Sequence, residues 1–286
     1  MKNIFVLFSF LFFTISLQAG GGWTQPKGKG YVKISEWWLI ANQHYTDQGR
    51  IDPNLTNGLF NTTVYAEYGL SDRLTAIVYF PFFSRSYVNN EISGTTGELL
   101  TAGEAINSIG DTDISLKYGL TKNSGISVAA TLTLGLPIGN SSGGSQGNLQ
   151  TGDGEFNQLI QIDAGTGFPL GSTNAYANVY VGFNNRNNGF SDEFRYGIEA
   201  GVTLFKDRLT AIARFIGVKS FKNGTPSAES TNTSVFANNA EFFSFSPEIA
   251  WNVKENWGFS AGVGTALSGK IIYANPSYNV GVFFKW

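Results

Sequence analysis

The chain has no cysteine, one histidine (His44) and one methionine. Without thiols it can form no disulfide framework, lipoprotein anchor or thiolate metal site, and one imidazole leaves no histidine cluster at zinc spacing. Charge is also scarce: Lys, Arg, Asp and Glu make up 14% of residues at a net charge of -2, which excludes the basic footprint of nucleic-acid binding. Beyond the N-terminus no continuous apolar run reaches the length of a membrane helix. What the chain does have is 15% aromatic residues and 35 glycines, with its apolar residues dispersed by alternation, a composition unlike that of a disordered chain.

The N-terminus runs from Lys2 through the apolar stretch Ile4 to Leu17 to the small residues Ala19 and Gly20. This reads as a secretory signal peptide over 1–19 with cleavage after Ala19. Residues 20–29 (GGGWTQPKGK) are expected to form a flexible periplasmic lead-in, with Trp23 as a candidate interfacial anchor. A barrel domain is expected over 30–286.

The closing stretch Pro276 to Trp286 sets Tyr278, Val280, Val282, Phe284 and Trp286 on one face at a period of two. Asn279, Gly281 and Lys285 fall on the other, with Phe283 as the exception. A chain ending on such a strand resembles the closing strand of bacterial outer-membrane barrels, whose terminal aromatic motif the barrel-assembly machinery reads. Those five residues are therefore the expected assembly signal. The same alternation predicts twelve strands, over 30–42, 59–70, 74–83, 111–120, 126–136, 156–168, 175–186, 193–205, 209–218, 240–251, 257–267 and the terminal stretch. Turns after even-numbered strands are short and loops after odd-numbered ones mostly long, the asymmetry between the periplasmic and extracellular ends of such barrels. Ten to thirteen residues at about 3.3 Å each, tilted roughly 40°, cross a hydrocarbon layer of about 25 Å. The predicted fold is all-β, a single antiparallel transmembrane barrel.

On strands two to twelve the apolar face carries no charge in its central part. Glu67, Asp113, Lys117, Asp163, Arg195, Glu199, Arg214, Glu248 and Lys285 all fall on the opposite set. A lipid-facing Lys or Arg at mid-bilayer costs roughly 2 to 4 kcal/mol, so a membrane demands this sorting, whereas a soluble barrel would fill its interior with apolar side chains. Glu67, Lys117, Asp163, Arg195, Glu199, Arg214 and Glu248 become candidate lumen-lining residues. The inward set also holds many glycines, read either as relief of curvature or as lumen space. On the first strand Glu36 is placed inward and Lys33 is left to snorkel to the periplasmic boundary. Pro247 predicts a bulge. The segment Ser84 to Gly110 is expected to be a solvated surface loop, long enough to cap the mouth, with helical character over Glu98 to Ile106.

At Gly110 to Leu120 (GDTDISLKYGL), Leu132 to Gly139 (LTLGLPIG) and Gly152 to Phe156 (GDGEF) the chain resembles the outer-membrane family named for the meta-pathway of phenol degradation. The resemblance is specific over about residues 105–170 and implies a transporter-like barrel for small solutes, hydrophobic or aromatic ones included. Related fatty-acid and toluene transporters carry a long N-terminal plug, whereas here about ten residues precede strand one.

The function expected from these readings is passive passage of small solutes across the outer membrane of a Gram-negative bacterium, with outer-membrane lipids, the assembly machinery and the solute as partners. No cofactor, metal ligand set or catalytic residue is assigned. The acidic, Gly-rich segments Asp47 to Asn57 and Gly152 to Glu155 could hold Ca²⁺ but match no EF-hand loop. The alternatives are a closed adhesive or structural barrel acting through its outer loops, and a lipid-modifying enzyme, for which His44 is the sole support.

Overall fold

The computed structural model describes residues 21–53, 56–122, 124–225 and 235–286; the expected signal peptide lies outside them. Twelve long strands form the wall: β1 Gly30–Ala41, β2 Asn57–Ser71, β3 Leu74–Val88, β4 Thr112–Gly119, β5 Ser127–Leu136 and β6 Asn157–Leu170. They continue as β7 Thr173–Arg186, β8 Glu193–Leu204, β9 Leu209–Ser220, β10 Glu241–Lys254, β11 Trp257–Lys270 and β12 Ser277–Lys285. Each pairs antiparallel with its neighbours in sequence, and β12 pairs with β1 from Tyr31↔Lys285 to Leu39↔Ser277. The sheet therefore closes, every wall strand is paired on both sides, and no open edge meets lipid. Backbone bonds join Gly30 and Trp286 in both directions at the seam, 3.2 and 3.1 Å.

Alternation decides which face is which. Ile114, Leu116 and Tyr118 on β4, and Val179, Val181 and Phe183 on β7, are exposed on the outer surface; Ser115, Lys117, Asn178 and Asn184, which alternate with them, are buried inside. Tyr278, Val280, Phe284 and Trp286 point outward, while the exceptional Phe283 turns inward and is 3% exposed. It stacks on Tyr31 at 5.9 Å between ring centres.

Register overturns the expected facing of the first strand. Lys33 pairs with Phe283 and Tyr65, both inward, whereas Glu36 pairs with Val280 and Thr62 on the outer face. The outer-wall carboxylate of Glu36 accepts a hydrogen bond from the Thr62 hydroxyl at 3.0 Å. Alternation could not choose, because β1 carries one charge and two or more large apolar side chains on each face. Pro247 makes no bulge: β10 and β11 keep one register from Phe245↔Thr265 to Glu248↔Gly262, and the shifts fall at Phe243/Ser244 and Asn252/Lys254. The missing N–H is absorbed by a gap in the ladder. A further register shift at Thr62/Thr63 sets Phe82 and Phe83 both outward beside Pro81.

Among the described residues there is no helix. The stretch expected to be helical is extended instead: Leu99–Thr101 pairs with Glu91–Ile92, and Glu104–Ser108 pairs with Ser84–Val88 of β3. The segment Ser84 to Gly110 is thus largely a continuation of the wall above β3 and β4. Over the mouth, His44–Tyr45, Ile51–Asp52 and Ile272–Tyr273 form a small sheet, beneath which Leu39, Ala41, Leu59 and Tyr273 make an apolar cluster with Trp37 and Phe236 against it.

Candidate functional site: the barrel lumen

The lead-in is not a free tail. Gly22 N donates to Asn178 Oδ1 at 3.0 Å, and the Lys117 ammonium donates to the Gly21 carbonyl at 3.0 Å. The Trp23 ring meets Tyr176 edge-on at 6.0 Å. Gln25 N donates to Thr75 Oγ1 at 2.8 Å and its side-chain amide to Glu67 at 2.9 Å. Gly28 N then reaches the Gly69 carbonyl at 2.8 Å and the chain enters β1. Residues 21–29 therefore cross the lumen from β7 to β2, at the end where Gly30 and Trp286 meet. Glycine makes the room: a Cβ on Gly165 would sit 2.6 Å from the Trp23 ring, and one on Gly69 would collide with the Pro26 carbonyl. Inward glycines elsewhere lie under tyrosine rings, Gly197 beneath Tyr180 and Gly201 beneath Tyr176. Much of the expected lumen space is thus occupied by the lead-in and by rings.

Above the lead-in runs a connected set of charges. Arg214 on β9 binds Glu199 on one side and donates to Glu248 at 2.6 Å on the other. Lys33 on β1 reaches across β11 and β12 to Glu248 at 2.7 Å. It can do so because Gly281 lies in its path, where a Cβ would stand 2.7 Å from Lys33 Cε. The Tyr176 hydroxyl donates to Glu199 at 2.8 Å. Glu67, 1% exposed, is held by the Tyr65 hydroxyl and by Gln25. Asp163 accepts two bonds from the Gln161 amide, 3.0 and 3.1 Å, and interacts electrostatically with Lys117. Carboxylates and cations here match in number: Glu67, Asp163, Glu199 and Glu248 against Lys33, Lys117, Arg214 and Lys285.

The opposite end of the barrel, its mouth, has a second cluster that alternation did not reveal. Arg186 at the end of β7 donates to Asp153 at 3.0 Å, Glu155 at 2.5 Å and Glu193 at 2.8 Å. Arg195 donates to Glu193 through Nε and Nη2, 3.0 and 2.8 Å. Asp111 accepts from the backbone N–H of Gly139 at 2.9 Å and of Asp153 at 2.7 Å. Burial pushes the Asp111 carboxyl up to about 7; the Gly139 N–H pulls it down and the neighbouring Asp153 carboxylate raises it. Burial likewise raises Glu155, against the pull of Arg186. Asp111, Asp153 and Glu155 come from the GD and GDGEF segments, so that signal was present in loop sequence rather than in periodicity.

No family model and no curated protein matches this chain. Among solved structures, an outer-membrane channel from Pseudomonas putida F1 is similar with a TM-score of 0.62 at 14% identity, covering 94% of this chain and 100% of that one. The fold is that of an outer-membrane β-barrel. The KdgM porin solved with disordered oligogalacturonate (TM-score 0.49, 8% identity, 90% of this chain and 99% of that one) falls below a useful likeness. So does the β-domain of the Bordetella autotransporter BrkA (0.45, 13%, 92% and 100%).

In this barrel all seven candidate lining residues lie on the inward set. Glu199, Arg214 and Glu248 are joined in one network, Asp163 faces Lys117, and Glu67 binds the lead-in; Arg195 stands apart at the mouth. Sequence reasoning missed Lys33 and Arg186. Trp23, expected at the membrane interface, packs inside the lumen.

Proposed function

We propose that this barrel is an outer-membrane channel for small solutes, related to the family of the phenol meta-pathway, with passage through a narrow polar lumen lined by Glu67, Lys117, Asp163, Arg195, Glu199, Arg214 and Glu248. The observation that carries this reading is the closed wall, apolar outside and charged within. A barrel built only as a scaffold gains nothing from charges inside, because buried ion pairs roughly break even against apolar packing. Twelve strands lie between eight-stranded barrels filled by side chains and sixteen-stranded porins. The lead-in further narrows the periplasmic end, and the charged lining favours polar over hydrophobic solutes.

The test is conductance of the refolded mature protein in planar bilayers, beside a variant lacking residues 20–29. The full protein should give small, stable openings, the shortened one openings several-fold larger, and Arg214→Ala should change ion selectivity. Silence from both folded forms would sink the channel and leave the barrel acting through its outer loops.

A further inference from the structure

The mouth contains a cavity of about 170 Å³ walled by Asp111, Asp113, Asp153, Asn184, Arg195 and Phe236, among others. Its charges do not balance. Even with Asp111 neutral, Asp113, Asp153, Glu155 and Glu193 face only two cations, Arg186 and Arg195, and both guanidiniums are already engaged by Glu193, Arg186 also by Asp153 and Glu155. A second feature is independent of that excess. Asn184 is fully buried, and its Oδ1 has no hydrogen-bond partner among the described residues. Its orientation is settled by its neighbours: Nδ2 donates to Asn157 Oδ1 at 2.7 Å and Glu193 Oε2 at 3.2 Å. Glu193 Oε2 is an acceptor already serving Arg195, so the amide nitrogen must face it and the carbonyl must be left over. A buried acceptor without a donor costs about 1 to 3 kcal/mol, which a donor arriving in the cavity would offset.

We propose that this cavity binds a small organic cation, an ammonium bearing N–H donors. Three observations select that class. The surplus charge is negative, the unsatisfied group is an acceptor, and among the described residues no three Asp, Glu, His or Cys side chains converge closely enough to hold a metal ion. Phe236 adds an aromatic side chain to the wall, a neighbour that attracts an ammonium, and Leu159 an apolar one for its carbon substituent. The inference deepens the channel reading by naming a solute class, and rests on that reading for passage alone; binding stands separately.

The experiment titrates ethylammonium chloride into the refolded full barrel in detergent micelles, followed by ligand-observed NMR saturation transfer, with propan-1-ol, propionate and CaCl₂ as comparators. Saturable binding of ethylammonium, absent for propan-1-ol and propionate and not displaced by equimolar Ca²⁺, is expected. Asp113→Asn should weaken it about tenfold, as loss of one charge-assisted contact implies. Phe236→Leu should weaken it about threefold, as loss of a cation–π contact implies. Heat-modifiable migration checks that both variants are folded. Equal binding of the alcohol, displacement by Ca²⁺, or unchanged affinity in folded Asp113→Asn would each overturn the proposal. Binding in a barrel that does not conduct would leave the cavity assignment standing and remove only the passage; conduction without binding would do the reverse.

Discussion

The two ends of the lumen solve the same problem differently. At the periplasmic end carboxylates and cations are matched, and the lead-in satisfies what the wall leaves over, Gln25 on Glu67 and the Gly21 carbonyl on Lys117. At the mouth one guanidinium, Arg186, holds three carboxylates and two loops, with acid left in excess. Matched charge shared among several strands is tolerant of single losses. Charge gathered on one residue is not.

The largest test of that contrast is to remove each hub. Arg186→Ala strands Asp153 and Glu155, leaves Glu193 to Arg195 alone, and should cost about 3 to 5 kcal/mol. Arg214→Ala should cost clearly less, since Lys33 still neutralises Glu248 and the pair is partly open to the lumen. Urea unfolding in lipid or detergent reads both, and equal losses would erase the distinction. Next in size is the wall itself. Glu36→Lys should cost about 2 kcal/mol if the side chain meets hydrocarbon, the penalty for Lys less that already borne by the carboxylate, and little if it faced water inside. A neutral result would return β1 to the opposite facing. Similar in size is the seat of the lead-in: Gly165→Leu drives a side chain into Trp23, for about 1 to 3 kcal/mol of overpacking. Lys27 is exposed, with its N–H held by Asp72 at 3.1 Å, so trypsin should then cut there several-fold faster than in the intact barrel; an unchanged rate would mean the contact is dispensable. The smallest effect is the pH response of the mouth. The folded Asp111 carboxyl is raised to about 7, so the stability it contributes is complete below its unfolded value near 4 and is lost as pH rises through 7. Asp153, Asp113, Glu155 and Arg186 share this environment. Intrinsic-rate-corrected hydrogen exchange at the Gly139 and Asp153 amides should quicken from pH 5 to pH 8, and Asp111→Asn should flatten the trend. Protection equal at both pH values would contradict it.

Most of the wall was legible because a membrane penalises error twice per turn of the pleat: on β2 to β12 an apolar residue inward or a charge outward is costly, so period two carries the answer. It failed on β1, where Lys33, Ser35, Trp37 and Leu39 alternate with Ile34, Glu36, Trp38 and Ile40 and neither set is cleaner. The inward placement of the seven candidate residues followed from the same rule. The cluster around Arg186 did not, since its partners Asp153 and Glu155 sit between strands where no period operates. The lead-in was invisible for another reason. Nothing in GGGWTQPKGK announces an interior position, and its counterpart, the glycines at 69 and 165, is spread through strands far along the chain.

That remoteness bears on the order of events during assembly. Gly22 meets Asn178, 156 positions later, and Gly30 meets the final residue. Contacts so distant in sequence carry the greatest loop-closure cost and form late. The lead-in, first in the described chain, is therefore expected to seat among the last, after β7 has joined the wall.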